Sequence, residues 1–91
     1  MAHFLTRIEL HEAESEDYDK LHTSMEDRGF AKTITGDDGV TYILPTATYY
    51  CESTHGTADI REIAREVANG TGRRNSVIVV EGRFSWHLPP E

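Results

Sequence analysis

The chain has 91 residues, 37% of them hydrophobic and 27% charged, a formal net charge of −7 and a single cysteine, Cys51. This length makes one domain, residues 1–91, with room for little more than two helices on one sheet, and one cysteine excludes an internal disulfide. No CxxC or paired-His spacing suggests zinc, no apolar run nears the ~20 residues of a membrane span, and the acidic balance argues against a general DNA or RNA binder, so a soluble, cytoplasmic protein is expected.

Hydrophobic period orders the chain. His3 to Leu10 alternates, with Phe4, Thr6, Ile8 and Leu10 on one face and His3, Leu5, Arg7, Glu9 and His11 on the other. A first helix follows from Ser15 to Arg28: Ser15 suits its cap, Tyr18, Leu21 and Met25 form its apolar stripe, and Gly29 ends it. A second strand, Phe30 to Thr35, turns at Gly36-Asp37-Asp38-Gly39 into an arm that Pro45 divides into a hairpin extension, Val40 to Ile43, and a third strand, Ala47 to Ser53. Thr57 or Asp59 suits the cap of a second helix running to Asn69, with Ile60, Ile63, Ala64, Val67 and Ala68 as a clean apolar stripe. Ser76 to Glu81 reads as the last core strand. Residues 82–91 form an extended tail whose Phe84, Trp86 and Leu88 share one side and need a cover, either an edge of their own sheet or a second subunit.

The order β-α-β-β-α-β predicts an α+β, ferredoxin-like sandwich: a four-stranded antiparallel sheet in the order 4-1-3-2, with two helices on one face. Ile8, Leu10, Leu21, Met25, Ile63, Val67, Val77 and Val79 are the expected core, and Cys51 reads as a small apolar strand residue. Charge is uneven. Glu9, Glu12, Glu14, Glu16, Asp17, Asp19, Glu26 and Asp27 face only Lys20, so this stretch accounts for the whole net charge of −7. Arg61, Arg65, Arg73, Arg74 and Arg83 outnumber Glu62, Glu66 and Glu81, which gives a mildly basic side around the second helix.

The segments Arg7-Ile8-Glu9-Leu10-His11, Leu21-His22 through Met25-Glu26 to Arg28-Gly29-Phe30, and Asp38-Gly39-Val40 through Tyr42, Leu44-Pro45 and Ala47 to Tyr49 carry a resemblance. The chain resembles the small bacterial GhoS-like proteins, endoribonuclease antitoxins of type V toxin–antitoxin systems. The resemblance implies a ferredoxin-like fold, similar to that of a small CRISPR-associated nuclease that dimerises. It also implies sequence-selective cleavage of a toxin mRNA, which would silence a membrane toxin. It assigns no catalytic position here, so candidates come from residue chemistry.

Cleavage by internal transesterification requires a base near the 2′-hydroxyl, a cation near the phosphate and an acid for the leaving oxygen. His22 at the edge of the first helix stripe, Arg28 at the end of that helix and Glu9 on the first strand are the candidate catalytic residues. Glu9 and Glu12 beside His11 form a carboxylate pair of the kind that holds magnesium with waters and phosphate. Arg61 and Arg65, one turn apart, with Arg73 and Arg74 in the loop beyond, are candidate RNA contacts, and Tyr42, Tyr50 and Trp86 are rings on which bases would stack if exposed. Two readings stand: a homodimeric endoribonuclease acting on RNA, and a non-catalytic dimeric regulatory or binding module.

Overall fold

The computed structural model describes residues 1–91 in the order β1 (Ala2–Leu10), α1 (Ser15–Asp27), β2 (Thr33–Thr35), β3 (Thr41–Ile43), β4 (Thr48–Ser53), α2 (Thr57–Asn69) and β5 (Asn75–Glu81). β1 is the central strand of a three-stranded antiparallel sheet, β4-β1-β5. Its alternation works as expected: Phe4, Thr6, Ile8 and Leu10 are buried, while His3, Arg7 and Glu9 are exposed on the open side. Across that open side Leu5 stands between Tyr50 and Val80, and Arg7 between Thr48 and Ile78.

The buried side of the sheet meets Leu21 and Met25 of α1 and Ile60, Ala64, Val67 and Ala68 of α2 in one apolar cluster, with Tyr49 and Phe4 its largest fully buried side chains. Cys51 belongs to the same cluster, and burial pushes its thiol up from the ordinary value. Ile63, Val77 and Val79, expected in the centre, pack at its margin. The valines sit on an edge strand, where even inward side chains are covered from one flank only.

Both helix starts differ from expectation. Glu14 caps α1, not Ser15: its N–H donates to Asp17 Oδ2 at 2.9 Å. Arg73 Nε donates to the same oxygen, also at 2.9 Å. The Glu14 N–H and then Arg73 hold the Asp17 carboxyl below its usual range. Gly56 caps α2, so Thr57 and Asp59 lie inside its first turn. Gly29 closes α1 as expected, at φ +89°, a backbone region that costs glycine little.

The expected four-stranded ferredoxin-like sheet does not form. β2 and β3 pair with each other as a separate two-stranded sheet, joined to β4 by one bridge in which Ala31 and Tyr50 exchange backbone hydrogen bonds of 2.9 and 2.8 Å. Register explains the shortfall. Continuing from Ala31 opposite Tyr50, the next pairing in one direction falls on Gly29, already spent on closing α1. In the other direction Thr33, which pairs with Ile43 on its β3 side, finds no partner at Thr48, because Thr48 N–H turns back to Pro45 O and Ala47 adopts φ +59°.

The tail finds its cover within the chain. Gly82 N–H donates to His3 O at 3.1 Å, and the segment then runs along the hairpin, where Ile43 N–H donates to Pro89 O (3.0 Å) and Glu91 N–H to Thr41 O (2.9 Å). Of the two expected covers, it takes the intramolecular one, on the β2–β3 hairpin. No helix is long and apolar enough to cross a membrane.

Ile60 is 3% exposed and Ile63 only half-buried. Ile60→Ala is therefore expected to cost about 2–5 kcal/mol, and Ile63→Ala distinctly less. Urea unfolding of the two variants checks the order.

Candidate functional site

Because the hairpin leaves the sheet, a cleft of about 640 Å3 opens between the two. One wall is the open face of the sheet, with His3 and Tyr50; the other is the hairpin turn and Tyr42; the tail, Arg83 to Trp86, closes its end. Local contacts fix the rings. Phe84 meets Tyr50 edge-on at 6.3 Å between centroids and 89°, and Trp86 meets Tyr42 at 5.8 Å and 61°. His3 stacks on Tyr50 at 6.0 Å and 26°. Gly36 lies under Trp86 and Tyr42: a Cβ there would stand 3.3 Å from Trp86 Cζ2 and 2.9 Å from Asp38 Oδ1. That oxygen is not free to yield, because it accepts from Val40 N–H at 2.9 Å.

Polar groups in the cleft are mostly committed. Asp38 accepts from Tyr42 Oη at 2.7 Å, which lowers the carboxyl and raises the phenol. Tyr50 donates to Glu52 Oε1 at 3.0 Å and is pushed up to about 12, by burial first and then by that carboxylate. Arg83 has no ion-pair partner. The cleft thus offers flat apolar rings, one free guanidinium and a histidine. Such a set suits unpaired nucleotides, whose bases stack on rings and whose phosphates accept from arginine.

The family model described as "Endoribonuclease GhoS" matches residues 1–86. The chain belongs to the GhoS endoribonuclease family. Among curated proteins, none matches it.

The residues of this GhoS-family chain picked out from sequence do not converge. His22 faces the helix side of the sheet, where its Nδ1 lies 2.6 Å from Tyr49 Oη, beside a groove of about 320 Å3 shared with Lys32 and Pro45. Glu9 lies on the opposite, open side, 3.7 Å from His11. Arg28 pairs with Glu66 of α2 at 3.5 Å. These three candidates therefore share no reacting centre. Glu9, Glu12 and His11 do not converge as a group of three metal-ligating side chains.

Arg61 and Arg65 share Glu62, at 3.2 and 3.3 Å, and Arg73 is tied to Asp17. Arg74 is exposed and unpaired, but its carbonyl anchors His11 N–H at 2.8 Å. The sequence reading missed His3, Glu52 and Arg83 as site residues. Alternation set His3 on the open face; only cross-strand register places it opposite Glu52.

Burial first and then Lys32 hold His22 below its ordinary value of 6.5, and the imidazole is neutral at pH 7. The unfolded chain takes up that proton more readily than the folded one. The His22 contribution to stability is thus present above 6.5 and lost as pH falls below it. Replacing His22 with Gln is expected to flatten the fall of melting temperature just below pH 6.5, as thermal unfolding across a pH series would show.

Proposed function

We propose that this chain is a sequence-selective endoribonuclease antitoxin that cuts a toxin mRNA and holds unpaired RNA in the aromatic cleft. The observation that carries this reading is the cleft itself: Tyr42, Tyr50, Phe84 and Trp86 around Arg83, in a chain of an endoribonuclease family. An acidic protein cannot rely on phosphate neutralisation. Five of its nine lysines and arginines are already paired; of the free ones Arg83 lines the cleft and Arg7 stands on the same open face of the sheet. Binding then rests on stacking and on base edges, which only unpaired nucleotides expose. This supports single-stranded regions of a transcript as the target.

A second reading is a non-catalytic dimeric binding module, favoured by Ile78 and Val80, which are 61% and 52% exposed on the edge strand β5. An apolar strip there suits a second copy or another protein, and homodimerisation fits either reading.

Trp86→Ala is expected to weaken binding of a single-stranded oligoribonucleotide by roughly 5- to 150-fold, the equivalent of about 1–3 kcal/mol for one stacked base. The slope of log K against log salt should be shallow, about −1.4 for two phosphates at roughly −0.7 each. Fluorescence anisotropy across a salt series measures both. A steep slope, or a loss confined to the Arg61→Ala/Arg65→Ala pair, would move the RNA to α2. A wild type that leaves every transcript uncut while eluting as a dimer would favour the binding module.

A further inference from the structure

The geometry points to His3 as the proton-transferring catalytic residue of the cleft, held by Tyr50 and Glu52, in a transesterification that leaves a 2′,3′-cyclic phosphate. This rests on the reading that RNA is cut in the cleft. His3 Nδ1 lies 2.6 Å from Tyr50 Oη, and Tyr50 donates to Glu52 Oε1 at 3.0 Å. A phenol carries one hydrogen. With that hydrogen directed to Glu52, the short contact to His3 requires Nδ1–H as the donor, so Nε2 keeps its lone pair as an available base.

The chain Glu52–Tyr50–His3 thus does what an orienting carboxylate does for a catalytic imidazole: it fixes the tautomer and holds the ring. Glu52 Oε1 also lies 3.3 Å from Nδ1, close enough to stabilise the imidazolium once a proton is taken up. Both partners lie on β4 directly beside β1, and the His3 side chain is 49% exposed, so a substrate can reach it. The His3 carbonyl binds Gly82 N–H at 3.1 Å, which brings the next residue, the unpaired Arg83, to the same end of the cleft. A base and a free cation therefore stand together where rings would seat the flanking bases.

The step balances without a redox partner. His3 Nε2 takes the proton of the 2′-hydroxyl as the 2′-oxygen attacks phosphorus; the bond from phosphorus to the 5′-oxygen breaks, and its electron pair leaves with that oxygen. Solvent water protonates the 5′-oxygen, and the imidazolium returns its proton to the hydroxide so formed. Arg83 offsets the charge that builds on the phosphoryl oxygens. No proton has to cross the sheet, as a base at His22 would require.

The test uses the full chain and a single-stranded oligoribonucleotide that the wild type cuts. His3→Ala is expected to slow single-turnover cleavage about 10²–10⁴-fold while oligonucleotide affinity stays within about twofold, and added imidazole should restore part of the rate. Glu52→Gln should lower kcat with KM unchanged. Products should carry 2′,3′-cyclic phosphate and 5′-hydroxyl ends, in EDTA as in buffer, and a 2′-O-methyl at the cleavage site should leave RNA bound and uncut. Wild-type cleavage by His3→Ala, or 3′-hydroxyl and 5′-phosphate ends, would overturn the assignment while leaving the cleft as the RNA site. A wild type that neither binds nor cuts any single-stranded RNA would overturn both.

Discussion

Two backbone hydrogen bonds between Ala31 and Tyr50 are the whole main-chain link between the β2–β3 hairpin and the three-stranded sheet. Their isolation shapes the rest of the molecule. With α1 running up to Gly29 and the chain kinked at Pro45 and Ala47, the hairpin can touch β4 at one residue and must then diverge. Divergence leaves the hairpin short of partners, and the tail supplies them through Pro89 and Glu91. It also opens the cleft, because a hairpin continuous with β4 would leave no gap between Tyr50 and Tyr42. The proposed RNA site is thus a consequence of where one helix stops.

How much of this could be read from the residues depends on the range of the interaction. β1 and α2 were legible because their patterns are local: every second residue of β1 from Phe4 to Leu10 is buried, and the α2 stripe contributes Ile60, Ala64, Val67 and Ala68. The helix starts were less so, since Glu14 and Gly56 cap in place of the hydroxyl residues beside them. The neighbours β5-β1-β4 follow the expected order, but the fourth strand was misjudged as continuous with them, because that turns on register between Ala31 and Tyr50 and element order carries no register. Tyr42, Tyr50 and Trp86 were legible as rings on which bases would stack if exposed; Trp86 is exposed and the two tyrosines are half-buried. Their convergence with His3 and Glu52 was not, for it joins residues from opposite ends of the chain.

Charge shows the same gap between counting and geometry. The arginines around α2 look like a phosphate surface in the sequence, yet Glu62 and Asp17 engage three of them, and Glu66 engages Arg28. Exposed pairs of this kind stabilise little, but they do compete with an incoming phosphate. Arg7 on the open face, Arg83 in the cleft, Arg74 just before β5 and Lys20 on α1 keep their charge unshared. A protein of net charge −7 from an endoribonuclease family thus has one of its free cations, Arg83, beside rings, where a base can contribute what the phosphates do not.

The most direct measurement is an NMR titration of the full chain with a short single-stranded oligoribonucleotide too weakly cut to turn over during the experiment. Ring protons of Tyr42, Tyr50, Phe84 and Trp86 are expected to move upfield, as stacked bases shield them, with amide shifts confined to the start of β1, to the β2–β3 hairpin, to β4 and to residues 82–86. Shifts centred on Arg61, Arg65 and the α2 surface, with the cleft rings unmoved, would contradict it.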